Sequence, residues 1–112
     1  MAYEDTQVVR KLLEDEVDER TALHLVAALG DTYAVKALLG HGSRTNAKDQ
    51  TGKTALMVAA TRGRAGVLRV LLREGASVNE EDNHGLTAIK HAATARKSPY
   101  RNEIIDLLKE AG

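Results

Sequence analysis

The chain has no cysteine, no phenylalanine and no tryptophan, and among its 112 residues it holds one proline and three tyrosines. The lack of cysteine excludes a disulfide framework, a thiolate metal site and a cysteine nucleophile. Apolar runs such as Leu25–Leu29 fall far short of the roughly 20 residues a membrane-spanning helix needs. The start, Met1-Ala-Tyr-Glu-Asp5, is acidic and lacks the apolar core of a signal peptide. Sixteen basic and sixteen acidic residues cancel, so net charge draws the chain toward neither nucleic acid nor membrane. Hydrophobic residues make up 43% and charged residues 29%, the composition of an ordinary globular domain and not of a disordered one. These absences lead us to expect a cytoplasmic or nuclear soluble protein with no cofactor. With aromatics at only 3%, Leu, Val, Ile and Ala must form the core, which suits close-packed short helices better than a sheet sandwich.

What is there is a repeat. Thr21-Ala-Leu-His, Thr54-Ala-Leu-Met and Thr87-Ala-Ile-Lys begin 33 residues apart twice over. Laid without gaps on residues 49–81, residues 16–48 match at nine positions: Thr54, Ala55, Leu56, Ala60, Gly63, Leu71, Leu72, Gly75 and Asn79. Such a period points to stacked units, none of which buries its apolar face alone. Asp49-Gln-Thr-Gly52 and Asp82-Asn-His-Gly85 read as tight turns, with Asp bonding the turn backbone and Gly taking positive φ. Thr54 and Thr87 stand at the N-cap position of a following helix. That helix is about eight residues long and ends at Gly63, or at Gly30 in the first copy. A second helix follows, with Val67, Leu68, Leu71 and Leu72 as its apolar stripe. Val8-Val-Arg-Lys-Leu-Leu13 has the pattern of Ala34–Leu39 and reads as the second helix of a preceding half-unit.

The period of 33, the D-x-x-G turn, the T-A-L helix start, the L-L-x-x-G and Gly75-Ala-Ser-Val-Asn79 resemble ankyrin repeats. The resemblance covers about residues 16–112 and, with the half-unit, nearly the whole chain. It implies an all-α solenoid of about three and a half helix–turn–helix units joined by short β-hairpin turns. The single domain would divide into a capping half-repeat at 1–15 and repeats at 16–48, 49–81 and 82–112, the last with a C-terminal capping helix. Departures from the family pattern are specific. Ala22, Ala55 and Ala88 stand where the family usually has Pro, and Met57 and Lys90 replace the His found at His24. Glu19 takes the place of the turn Gly, so the first turn is expected to be distorted. The Arg96–Asn102 stretch makes the third copy three residues longer.

A search for chemistry finds none. The four histidines, His24, His41, His84 and His91, occupy four different repeat positions with no metal-ligand spacing. His24 is expected to cap and pack within its own helix beside Thr21, and His91 to be a partly buried structural residue. Gly63-Arg-Ala-Gly66 follows a helix instead of a strand and so is no phosphate loop. No catalytic residue and no metal ligand is assigned. What remains is surface. The resemblance implies a partner bound on a concave face made of hairpin tips and first-helix ends. Carried over position by position, the candidates are Arg20, Leu29, Gln50, Thr51, Lys53, Thr61, Arg62, Asn83, His84, Leu86, Thr94 and Ala95.

Charge placement adds an independent hint. Residues 44–73 carry seven bases against Asp49 alone, net +6, while residues 1–20 are net −4 and residues 74–112 net −2. A basic centre fits a partner protein with an acidic segment. The alternative is a nucleic-acid-associated factor, which the scarcity of stacking aromatics and the zero overall charge disfavour. The expected function is therefore a non-catalytic, monomeric protein–protein interaction module, such as a scaffold, adaptor or regulatory binding domain.

Overall fold

The computed structural model describes residues 19–40, 44–95 and 99–111, with the side chains of residues 19–21 left out. The expected half-repeat at 1–15 and residues 96–98 of the Arg96–Asn102 stretch lie outside the described residues. Six helices form three pairs: α1 (Glu19–Leu29) with α2 (Thr32–Gly40), α3 (Ala55–Arg62) with α4 (Ala65–Arg73), and α5 (Ala88–Thr94) with α6 (Arg101–Ala111). Each first helix packs on its own second helix and on the first helix of the next pair. The second helices pack in sequence behind them. Among the described residues the pairs are joined by turns and no strand is present, and no helix is long and apolar enough to cross a membrane.

Local chemistry sets the helix limits. The Thr54 hydroxyl accepts from the Met57 N–H at 3.4 Å, and Thr87 does the same for Lys90 at 3.5 Å, so α3 and α5 begin one residue later. At the other end of α3, Gly63 takes φ 72°. The Arg64 N–H can then turn back to the Ala59 carbonyl at 2.9 Å and close the helix. The first unit starts differently. Helix α1 already runs through Glu19, at the position where Gly52 and Gly85 take φ 81° and 75°. A side chain makes that left-handed geometry costly, so the distorted first turn expected from Glu19 is a helical start that brings Thr21 inside α1.

The core is built from small aliphatic side chains. Ala22, Leu23, Ala27, Ala34, Val35, Leu38, Ala55 and Ala59 are all fully buried. The alanines leave room for helices to approach closely, and the leucines fill the space behind them. In α4 the buried set is Val67, Leu68, Val70 and Leu71, whereas Leu72, expected in the stripe, is only half-buried. Helix α4 is flanked by α2, α3 and α6, so burial wraps a wide arc centred on Leu68 and Leu71. Helix α6, with neighbours on one side of the stack alone, buries Ile104 and Leu108 and leaves Ile105 and Leu107 half-buried.

Because α4 sits between two neighbours, Leu71→Ala is expected to cost about 2–5 kcal/mol. Unfolding in urea followed by circular dichroism should show a lowered midpoint for the entire helical signal. An unchanged midpoint would mean that Leu71 does not carry inter-unit packing.

Candidate binding surface

Two hairpins carry most of the candidate residues, and an aspartate organises each. In the first, Asp49 Oδ1 accepts from the Thr51 N–H (2.9 Å), the Thr51 hydroxyl (2.7 Å) and the Lys53 N–H (2.9 Å). In the second, Asp82 Oδ1 accepts from the His84 and Leu86 N–H groups, both at 2.9 Å. Its other oxygen, Oδ2, accepts from His91 Nε2 at 2.8 Å, and the pair is buried in the third unit. Only the tautomer with its proton on Nε2, or the charged ring, can donate this way. Burial would raise the Asp49 carboxyl, but the Thr51 hydroxyl and the Lys53 and Thr51 N–H groups outweigh it and hold it below 3.8. The Leu86 N–H is the main reason the Asp82 pKa falls to about 2, with burial opposing and His84 and His91 assisting.

The hairpins lock to one another. The Asn83 N–H donates to the Thr51 carbonyl at 3.0 Å, and its side-chain amide donates to the Gln50 carbonyl at 3.2 Å. Gly52 lies directly beneath this contact: a Cβ there would fall 2.5 Å from Asn83 Oδ1 and 2.8 Å from its backbone nitrogen. Further along, the Ser77 N–H donates to Asn46 Oδ1 at 2.7 Å, and Lys48 Nζ donates to the Glu81 carbonyl at 3.1 Å. The Thr21 side chain, beside which His24 is expected to cap, lies outside the described residues, and His24 itself is buried. Its Nε2 donates to the Lys53 carbonyl of the next hairpin at 2.6 Å, so the ring ties the first unit to the second.

The candidates separate by exposure. Leu29, Gln50, Thr51, Thr61, Arg62, Asn83, His84 and Thr94 are exposed. The Thr61 and Thr94 hydroxyls turn back onto the Met57 and Lys90 carbonyls at 3.0 and 2.9 Å. Leu86, expected to be exposed, is half-buried, because both its N–H and its carbonyl are held by Asp82. Lys53 and Ala95 are half-buried as well. The Arg20 side chain lies outside the described residues. The hairpin bonds bring Gln50, Thr51 and Asn83 together at adjacent tips. Leu29 and Arg62 stand at the ends of neighbouring first helices, which Arg64 joins by donating from Nε to the Ala28 carbonyl at 3.0 Å.

Three of the seven bases of the basic centre are bonded inside the stack. Lys48 pairs with Glu80 at 3.1 Å, Arg69 pairs with Glu103, and Arg64 is taken up by the Ala28 carbonyl. Among the described residues Arg62 is exposed and in no ion pair. The sequence could not separate these roles, since the partners lie 32 to 36 residues away. Among the described residues no group of three His, Asp or Glu side chains could hold a metal ion. A shallow depression of about 260 Å³ lies between Val78, Ile89 and Leu108, and no candidate residue lines it.

A family model described as ankyrin repeats (3 copies) matches residues 1–82 and again residues 23–112. No curated protein matches the chain.

The hairpin carboxylates make stability depend on pH. A carboxyl depressed in the folded state stabilises fully above its unfolded value near 3.8 and loses that contribution as pH falls through about 2. Wild-type stability should therefore fall between about pH 4 and pH 2. Asp82→Asn should be the less stable protein at pH 7 and should converge on wild type as Asp82 is protonated, measured by urea midpoints across that range. A constant gap between the two would show that Asp82 acts through packing and not through its charge.

Close approach at the hairpins gives a second test. Gly52→Ala should lower the melting temperature, because the methyl group meets Asn83 in addition to the cost of positive φ. Asn83→Gly in the same background should recover part of the loss. No recovery would leave backbone strain as the sole cause.

Proposed function

The chain belongs to the ankyrin repeat family, and from that premise we propose that it is a non-catalytic module binding a partner protein through its hairpin tips and first-helix ends, with Arg62 as the charged anchor. Ankyrin repeats generally mediate protein–protein interaction. The observation that carries the proposal is the contrast among the cations of the central unit. Lys48, Arg64 and Arg69 each bond to a neighbouring unit, while among the described residues Arg44, Arg62 and Arg73 are exposed and in no ion pair, and of these three Arg62 alone ends a first helix. A solvent-facing guanidinium on a rigid scaffold can pair with a carboxylate through two parallel hydrogen bonds, and Arg is enriched among interface residues that dominate affinity. An acidic segment of the partner is the matching chemistry. Exposed Gln50, Thr51, Asn83 and His84 at the linked tips supply polar contacts at the other end of the first helices. The nucleic-acid alternative rested on the basic centre as a whole, and much of that charge is used within the fold.

Affinity capture with the full chain, followed by mass spectrometry, should identify the partner. Arg62→Glu should weaken that complex by at least about 1 kcal/mol, lessen its salt sensitivity and leave the melting temperature nearly unchanged. The control is Arg73→Glu in the last turn of α4, which should matter much less. Equal losses from both would indicate diffuse electrostatic attraction and overturn the assignment of Arg62 as the anchor.

A further inference from the structure

In a chain with three tyrosines and no other aromatic, the placement of two of them is informative. Four large hydrophobic side chains are exposed among the described residues: Leu25 at 49%, Leu29 at 70%, Tyr33 at 65% and Tyr100 at 52%. Three of the four, Leu29, Tyr33 and Tyr100, stand at one edge of the array, where each first helix hands over to its second helix. This edge lies at the opposite end of the first helices from the hairpins, since those helices start at the hairpins and end here. It is also held rigidly. Arg64 joins the ends of α1 and α3 through the Ala28 carbonyl at 3.0 Å, and Arg101 donates to the Ala93 carbonyl at 2.6 Å at the end of α5. Thr32 and Gly66 bring the starts of α2 and α4 into contact: a Cβ on Gly66 would lie 3.3 Å from the Thr32 methyl.

The charge of the edge has one sign. Arg62, Arg64 and Arg101 place three guanidinium groups there, and none of them has a carboxylate partner among the described residues. Of the acids near the edge, Asp31 is half-buried and accepts the Ala34 N–H at 3.0 Å at the start of α2, and Glu103 in the first turn of α6 is paired with Arg69. Exposed tyrosine and leucine beside arginine is the residue set that supplies most of the affinity at protein interfaces. Solubility would favour the reverse, with charge spread evenly and large apolar groups covered.

We propose that this edge, carrying Leu29, Tyr33, Arg62, Arg64 and Tyr100, docks an acidic segment of a partner protein that alternates carboxylates with aliphatic side chains. The proposal rests on the protein-binding reading above and moves its centre from the hairpin tips to the opposite end of the first helices. Packed helices lie roughly 8–10 Å apart, so Tyr33 and Tyr100, two second helices apart, stand on the order of 16–20 Å from each other. An extended segment rising about 3.3 Å per residue covers that span in roughly six residues. The aliphatic side chains of such a segment would lie on Leu29 and the two tyrosine rings, and its carboxylates would meet the guanidinium groups between them.

The test uses the full chain and a fluorescent peptide of alternating glutamate and leucine, about ten residues long, read by anisotropy. Peptides alternating lysine with leucine and glutamate with serine are the controls, and oligothymidine is the nucleic-acid probe. The glutamate–leucine peptide should bind best. Tyr33→Ser, Tyr100→Ser and Arg62→Glu should each weaken it by about tenfold, with melting temperatures close to wild type because all three side chains are exposed. Arg73→Ala and Glu110→Ala, exposed at the far ends of their second helices, should leave binding unchanged. Full binding by a Tyr33→Ser/Tyr100→Ser double variant would overturn the proposal, as would equal binding of the lysine–leucine peptide or no binding of any peptide. Loss confined to the tip variants Gln50→Ala and His84→Ala would overturn it while leaving the protein-binding reading in place. Tighter binding of oligothymidine, abolished by the tyrosine variants, would assign the edge to single-stranded nucleic acid instead.

Discussion

Side-by-side packing of the three first helices is the contact on which everything else depends. None of the six helices exceeds 11 residues, below the roughly 12–15 at which an isolated helix is even marginal in water. Each persists because its neighbours cover its apolar face, and the covering side chains are mainly alanine, valine and leucine. Alanine at positions 22, 27, 55, 59, 88 and 92 lets helices approach until the larger residues behind them touch. The same constraint explains the small share of aromatics, since a ring between first helices would force them apart.

A second layer of bonding holds the units in register. Asp49 and Asp82 tie each hairpin into a fixed shape, and Asn83 then stitches the second hairpin to the first. His24 and Asn46 reach across from one unit to the next. Buried donors and acceptors are therefore matched along the stack, and among the described residues no buried side-chain polar atom lacks a partner. A hydrophobic stack alone could slide by a helical turn; hydrogen bonds at hairpins and helix ends penalise such slippage by leaving polar groups unpaired.

The charges divide along the same lines. Lys48, Arg64 and Arg69 are three of the seven bases in residues 44–73, and each is directed at a carbonyl or carboxylate of an adjoining unit. Exposed ion pairs of this kind contribute little to stability individually. Their larger effect is to fix where the charge is held, with Arg62 and Arg64 together at the end of a first helix. Functional reading of a repeat protein thus depends on subtracting the charges that neighbouring units use.

Much of this architecture was legible in the sequence because its signals are local and recur. The 33-residue period, the Asp–Gly turns, the Thr54 and Thr87 caps and the glycine stop after α3 involve residues within five positions of one another inside each copy, and chain geometry alone relates them. Exposure at the tips and first-helix ends was readable for the same reason, at Thr51, Arg62 and Asn83 among others. What only the tertiary structure decided is everything that joins residues about 30 positions apart. That His24 reaches the next hairpin, that Leu86 is half-covered, and that three cations are committed all follow from the register in which units stack. The meeting of Leu29, Tyr33 and Tyr100 at one edge has the same origin. These residues occupy unrelated positions in the repeat, so no period in the sequence links them, and only the parallel alignment of the helices brings them together.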